Sequence, residues 1–377
     1  MNVYDALDMK PVINAVGTAT KLGGSLMPPP VLEAMAEASR HFVDLDELNL
    51  KVGRRLAELT RNEAAHVSCG ASSGLLLSAA ACMTGEDIYK IGRLPDTEGL
   101  KNQIVMHACQ QNPYQLAMLP TGAEIVTFGY SNQTEPWHLE AAITEKTAAV
   151  FHFIYRGGFR TEGAALPLES VIEIAHSRGV PVVLDAASQI PPIESLWTYT
   201  QMGVDLVIFS GGKGLRGPQG AGLILGRQDL VNACRLNASP NYAIGRPMKV
   251  SKEEIVGLLA AVEWNLERDF DQVIAEATST IDILVDQLEG LSDLTAAFRL
   301  PGESCRIMPV CDVRLTGSGD LSARRDQVVK RLWQNDPPIA VRPVRLDGFV
   351  INPETLREGE EQEIIQVLRS IMTDGFS

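Results

Sequence analysis

The stretch from Phe209 to Gly222, FSGGKGLRGPQGAG, decides how the chain is read. It continues the apolar run Val204-Asp205-Leu206-Val207-Ile208, short enough for a buried strand, and then breaks into serine, glycines and a single lysine. On this reading Lys213 leaves the carboxyl end of a strand, on a loop where Gly211, Gly212 and Gly214 let the backbone approach a ligand. Ser210 offers a hydroxyl three positions earlier. A solvated surface lysine is the ordinary alternative at such a place.

A second group narrows the choice. Asp185 closes another apolar run, Val180-Pro181-Val182-Val183-Leu184, and stands 28 positions before Lys213, room for one helix and one strand. In an open parallel sheet both side chains emerge on the same edge, where such sheets bind ligands. A lysine and a carboxylate so placed match pyridoxal 5'-phosphate: the amine forms an imine with the aldehyde, and the carboxylate keeps the ring nitrogen protonated so that the ring can accept electrons. Ser210 is then a phosphate contact. For Asp185 alone, a helix cap or loop acid is the competing reading.

Val67 to Gly74 (VSCGASSG) runs into the apolar segment Leu75 to Ala81, a small-residue turn leading into a helix. Free backbone N–H groups and the positive end of the dipole make Gly70, Ala71, Ser72 and Ser73 an expected phosphate cup, with plain N-terminal capping as the alternative. His107 ends a strand over Gln103–His107, with Tyr114 on the loop beyond it. Either ring suits a cofactor or substrate contact, and a hydrogen-bonded scaffold role competes for His107. Ala187 follows Asp185 at the same edge. Arg156, ending a strand over Thr147–Tyr155, is a candidate for a substrate anion or else a salt-bridged surface residue. Thr18, in a polar N-terminal arm, and Arg342, near Arg345, are further substrate candidates, with solvent-facing roles as alternatives.

Strands and helices alternate through the first two-thirds of the chain, with helices expected at Leu45–Thr60, Pro167–Arg178 and Ser195–Met202. The pattern predicts an α/β fold, a mostly parallel sheet with helices on both faces. A helical pattern from Ser251 to about Leu291, broken near Phe270, leads to expected strands at Arg306–Leu315, Ile339–Arg345 and Gly348–Ile351 and helices at Leu321–Trp333 and Gly359–Met372. The expected division is a large domain over residues 1–250 with an N-terminal arm, and a connecting helix with a small α+β domain over 251–377.

Composition bounds the function classes. Of 377 residues 45% are hydrophobic and 21% charged, and 33 basic against 47 acidic residues give a net charge of -14, which argues against a phosphate-backbone partner such as tRNA. The amino terminus lacks a hydrophobic signal core and the apolar stretches are interrupted, so a cytoplasmic location without a membrane is expected. Six cysteines lie scattered without a CxxC pair, which reads as reduced thiols rather than a disulfide framework or zinc site.

The segments VLDAA (183–187) and FSGGKGLRGPQ (209–219), with the opening INAVGTATKLGGS and the GASSG turn, resemble the selenocysteine-synthase-like family of fold type I pyridoxal phosphate enzymes. The resemblance implies Lys213 as the Schiff-base lysine, Asp185 as partner of the pyridine nitrogen, and Ser72, Ser73 and Ser210 as phosphate contacts. It also implies a homodimer or higher homo-oligomer with active sites at the subunit interface. Within that family the SGGKGLRGPQ loop is similar to the branch of D-glucosaminate-6-phosphate ammonia lyases, which implies an α,β-elimination on a small hydroxy amino acid or amino-sugar acid. The alternatives are a selenium transferase acting on seryl-tRNA, a racemase, an aminotransferase, or a non-catalytic sensor that binds the cofactor or an amino acid.

Overall fold

The computed structural model describes residues 3–154, 164–302 and 307–374. After a short strand β1 (Ile13–Asn14), helices α1 (Pro29–Ala38) and α2 (Leu45–Thr60) lead into strand β2 (Ala64–Ser68). The α2 boundaries match the sequence expectation because both ends are marked. Asp44 accepts the Glu47 N–H at 2.9 Å at its start, and Arg61 adopts a left-handed φ of 56° at its end. Helices α3 (Gly70–Thr84) and α4 (Ile88–Arg93) follow, then β3 (Gln103–His107), β4 (Glu124–Phe128), α5 (Pro136–Ala142) and β5 (Thr147–Phe153). Next come α6 (Leu168–Ser177), β6 (Val182–Asp185), α7 (Ser195–Gln201), β7 (Leu206–Ser210), β8 (Gly222–Gly226), α8 (Gln228–Asn237) and α9 (Lys252–Leu266).

Seven of these strands form one sheet in the order β2-β8-β7-β6-β5-β3-β4. The five from β7 to β4 run parallel, and β8 is antiparallel to both β7 and β2. Both faces are covered. Along β7, Leu206 and Ile208 face one side and Val207 and Phe209 the other, and all four are at most 1% exposed, as expected of strands buried on two faces. Helix α3, apolar all round, is buried along nearly its whole length against this sheet. Gly74 is what lets it sit so close, since a Cβ there would come within 2.7 Å of Ile208 Cγ2.

The remaining elements are α10 (Phe270–Leu288), β9 (Leu294–Arg299), β10 (Val310–Leu315), α11 (Leu321–Trp333), β11 (Ile339–Ala340), β12 (Arg342–Val344), β13 (Gly348–Ile351) and α12 (Glu360–Asp374). A four-stranded sheet, β12-β13-β10-β9, carries the core of this part, with Ile281, Leu284, Val328, Phe349 and Leu368 among its buried side chains.

The division of the chain differs from the expected one. Residues 26–268 form one compact unit, and residues 1–25 group with 269–377 in the other. Two contacts account for the shift. Helix α9 packs on α1 and α2, which keeps residues 252–266 with the large sheet, and β1 pairs in parallel with β11, which ties the N-terminal segment to the smaller unit. The single strand expected over Ile339–Arg345 is two: β11 joins β1 and β12 joins β13, with Pro343 on an edge strand where its missing N–H costs no ladder bond. Among the described residues no helix is long and apolar enough to cross a membrane.

Candidate active site

Strand register brings Asp185, Ser210 and His107 to one edge of the large unit's sheet. Ser68 at the end of β2 pairs with Gly222 of β8, which pairs with Ser210 of β7. Asp185 ends β6 opposite Ile208 of β7, and opposite Phe153 of β5 on the other side. His107 ends β3, paired with Phe128 of β4. All five parallel strands therefore direct their carboxyl ends to the same edge, where α/β sheets hold ligands.

Lys213 sits in a loop closed at its base. The Gly211 N–H donates to the Ala221 carbonyl and the Gly217 N–H to the Gly211 carbonyl, each at 2.8 Å, and the Arg216 N–H donates to the Lys213 carbonyl at 2.9 Å. From below, the buried Asn265 of α9 donates its Nδ2 to the Leu215 carbonyl at 2.6 Å. The glycines also meet a packing requirement within the protein. A Cβ at Gly214 would lie 2.0 Å from the Ile190 carbonyl oxygen, one at Gly212 2.5 Å from Gln219 Cα, and one at Gly211 2.8 Å from the Ala221 carbonyl oxygen. They let the loop pack on its own backbone and on the chain at Ile190, and so fix the half-buried lysine in place. Asn265 escaped the sequence reading; its signal is an amide at an otherwise apolar position, in line with Leu258, Ala261 and Val262 of the same helix.

Asp185 is half-buried, and its Oδ1 accepts the Ala187 N–H at 2.9 Å. Burial pushes its carboxyl group above the usual range, while that N–H and the charge of Lys213 pull it back down. The Ser210 N–H donates to the Ala187 carbonyl at 3.3 Å, so the segment after Asp185 runs directly beside the start of the lysine loop. A protonated ring nitrogen fits such a carboxylate, because a cationic N–H partner stabilises the ionised form that burial disfavours.

The expected phosphate cup lies at the start of α3. Cys69 precedes α3 and makes no side-chain cap, so the first N–H groups of a 15-residue helix are not satisfied by the simple capping alternative. Gly70 takes a φ of 74°, and its carbonyl accepts the Ser68 hydroxyl at 3.0 Å. A Cβ on Gly222 would lie 2.4 Å from the Gly70 carbonyl carbon, so the first turn of α3 abuts the residue that closes the lysine loop. Ser73 is buried with its Oγ lacking a partner among the described residues, Ser72 is exposed, and Ala71 is half-buried. A phosphate at this helix end matches the open N–H groups.

His107 is fully buried. Its Nε2 accepts the Leu166 N–H at 3.1 Å, which assigns the ring proton to Nδ1, an atom without a hydrogen-bond partner among the described residues. Burial, with the neighbouring His152 ring, pushes its pKa down to about 3, so the ring is neutral at pH 7. Its centroid lies 4.2 Å from that of Phe128 and 5.3 Å from that of His152. Gln110 cross-links this corner: its Nε2 meets His152 Nε2 at 3.1 Å and its Oε1 accepts the Phe153 N–H at 3.1 Å. Tyr114 lies in a short 3-10 turn after β3 and is 49% exposed. Thr18 and Arg342 are half-buried in the smaller unit, Arg342 on β12, and Arg345 lies just beyond that strand with a φ of 54°. Arg156 lies outside the described residues.

Known proteins bear on this arrangement. Residues 103–301 match the family model described as aminotransferase class-V. The chain is 32% identical to a 5'-C-glycyluridine monooxygenase-decarboxylase from a Streptomyces species, over 98% of this chain and 92% of that one. It is 31% identical to a D-glucosaminate-6-phosphate ammonia lyase of Salmonella typhimurium, over 98% of each. A solved structure of D-glucosaminate-6-phosphate ammonia-lyase matches with a TM-score of 0.85 and 30% identity over 99% of both chains. Similarity extends at 26% identity to an L-seryl-tRNA(Sec) selenium transferase of Nitratidesulfovibrio vulgaris, covering 96% of this chain and 81% of that one. The fold is therefore that of a fold type I pyridoxal-phosphate-dependent enzyme. More narrowly, the chain belongs to the aminotransferase class-V family, within which its likeness runs end to end with an ammonia lyase.

Proposed function

We propose that this protein is a pyridoxal-phosphate-dependent lyase that releases ammonia, by α,β-elimination of water and hydrolysis, from a small β-hydroxy amino acid or an amino-sugar acid of the D-glucosaminate-6-phosphate type. Bound pyridoxal phosphate supplies an electron sink for the bonds at the substrate's α-carbon. The open N–H groups at Gly70, Ala71, Ser72 and Ser73, with the Ser73 and Ser210 hydroxyls, hold the phosphate. Asp185 holds a proton on the ring nitrogen. The Lys213 amine would anchor the cofactor and, when free, would take the substrate's α-proton as general base. Loss of the β-hydroxyl as water followed by hydrolysis leaves a 2-keto acid and ammonia, so the sum of products equals the substrate in atoms and no oxidant is consumed. His107, neutral and carrying its proton at Nδ1, borders the same edge as a donor, and Thr18, Tyr114, Arg156 and Arg342 remain candidates for substrate contacts.

The observation that carries this reading is the Asp185 carboxylate, held half-buried beside Lys213 with only the Ala187 N–H to answer it among the described residues. A structural acid in that position would be expected to have more partners. The exposed apolar side chains at Tyr114, Leu116, Leu119, Tyr130 and Trp137, on the segments that follow β3 and β4 at the ligand edge, support a homo-oligomer. The free thiols of the five described cysteines fit a reducing, cytoplasmic setting, and the net acidity speaks against a nucleic-acid partner.

The deciding experiment incubates the cofactor-loaded protein with hydroxy amino acids of both hands, D-glucosaminate 6-phosphate and 5'-C-glycyluridine, and measures ammonia, keto acid, carbon dioxide and oxygen uptake. Equal amounts of ammonia and keto acid without oxygen uptake are expected. Racemised substrate, aminated cofactor or oxygen-dependent release of carbon dioxide would each replace the lyase with another reaction, and bound cofactor without turnover would favour a sensor.

A further inference from the structure

A cleft of about 290 Å³ opens between α2 and α8, floored by the first residues of β2. Register places it away from the lysine. Ala64 pairs with Gly226 and Gly226 with Leu206, at the amino end of β7, whereas Ser68, Gly222 and Ser210 form the row at the lysine-bearing end. Four residues of strand separate the two rows, roughly 13 Å. Helix α2 contributes Asn49, Arg54 and Glu58 to the lining, α8 contributes Gln228 and Arg235, and Glu63 stands between them.

The charges around this cleft are unevenly matched. Both acids are engaged: Glu63 Oε2 accepts the Gln228 N–H at 3.0 Å, and Glu58 Oε2 lies 3.8 Å from the Arg55 guanidinium. Neither Arg54 nor Arg235 has a carboxylate partner among the described residues, in a chain whose net charge is -14. The Nε of Arg235 is buried and lacks a hydrogen-bond partner. Asn49 is only 7% exposed; it gives its Nδ2 to the Leu45 carbonyl at 2.8 Å, which leaves Oδ1 without a donor. Buried polar groups left unpaired are costly, and two of them in the lining of one polar cleft, Arg235 Nε and Asn49 Oδ1, unpaired among the described residues, mark a place where a ligand would recover that cost.

We propose that this cleft is a second small-molecule site, which takes one compact oxyanion, a carboxylate or a phosphate, on a molecule that also carries hydroxyl groups. The two guanidinium groups supply the anion's partners. The Asn49 amide, whose oxygen lacks a donor, suits a hydroxyl, and Glu58 and Glu63 repel an extended polyanion. The volume is near the small end of ligand pockets, about 300 Å³. This inference is independent of the reaction assigned to Lys213.

Isothermal titration of the full chain, saturated with pyridoxal phosphate, tests it with inorganic phosphate, glycerol 3-phosphate and gluconate as probes. At least one of the two hydroxylated probes is expected to bind saturably, about tenfold weaker in R54Q and in R235Q, and unchanged in S73A at the opposite edge. The preferred hydroxylated probe tells whether the anion is a phosphate or a carboxylate. Inorganic phosphate binding as tightly as either would remove the hydroxyl part of the proposal. No saturation by about 10 mM, binding indifferent to both arginines, or binding lost only in S73A would overturn it. So would probe-insensitive variants whose subunit number changes in sedimentation, since the cleft would then be a contact between chains. Thermal melting of R54Q and R235Q near that of the parent guards against trivial unfolding.

Discussion

Two aspartates at opposite ends of neighbouring strands differ in how fully the fold answers them, and the proposed function assigns chemistry to the one left shorter of partners. Asp205, 4% exposed just before β7, is saturated: Oδ1 takes the Arg227 guanidinium at 2.8 Å, and Oδ2 takes His176 Nε2 at 2.8 Å and the Val182 N–H at 2.7 Å. Asp185, at the carboxyl end of β6, has the Ala187 N–H and the nearby charge of Lys213. Both acids are shielded by the same sheet. The difference lies in the partners, and a carboxylate left short of them at a ligand edge is a group poised for a cation that arrives with the cofactor.

The largest test of this contrast is K213A. On the proposed reading, in which Lys213 is both anchor and base, the loss is expected to lower turnover by at least about 10³-fold, and borohydride reduction followed by peptide mass spectrometry should find no cofactor at position 213. Crossing the two acids comes next. D185N is expected to lose about 10²-fold in turnover with its fold intact, whereas D205N should keep its activity per folded molecule and lose about 1–3 kcal/mol of stability, reduced from the fully buried case because Arg227 is partly solvated. If D205N disturbs turnover as much as D185N does, the distinction fails.

A pH series sharpens the same point. In cofactor-free protein the Asp185 carboxyl titrates above its ordinary 3.8, so the folded state holds its proton more tightly than the unfolded chain does. That proton's contribution is present below 3.8 and is lost as pH rises through the raised value. Cofactor-free D185N should therefore melt at or above the parent's temperature at neutral pH, and the advantage should vanish in acid. The buried histidines run the other way. His66 and His152 are pushed down to about 4 and His107 to about 3, so stability should fall as pH drops below 6.5, where the unfolded chain takes up protons that the fold refuses. The smallest effect is expected of S73A, about a fivefold rise in the cofactor's dissociation constant for one lost hydrogen bond, read by fluorescence titration.

What the sequence disclosed follows from where its physical signals are strong. Strands buried on both faces are continuous apolar runs, so β3, β6 and β7 could be placed, and Asp185 and Lys213 stood out because each ends such a run with a charge. Helices with a marked start were legible too, as at Asp269, whose Oδ1 accepts the Gln272 N–H at 3.1 Å where the long pattern breaks. The antiparallel β2 went unread because Ala64-Ala65-His66-Val67-Ser68 has neither alternation nor branched residues to announce it. Helices α4, α5 and α8 are short or polar and were missed for similar reasons. The close packing of the loop glycines is not legible in the same way, because a sequence gives their freedom without saying what crowds them. Likewise the grouping of residues 1–25 with the C-terminal unit rests on a two-residue pairing, Ile13 with Ile339 and Asn14 with Ala340, across more than three hundred positions, which no local pattern encodes.

The antiparallel strand β8 has a further consequence. By returning beside β7 it makes the segment around Lys213 a pinned ring, fastened at its neck by Gly211 to Ala221, at mid-span by Gly217 to Gly211, and from beneath by Asn265. If Lys213 acts as proposed, its amine would move by turning the single bonds of its own methylene stem. Its excursion would be that of a short leash, and a turnover would not require the ring to open.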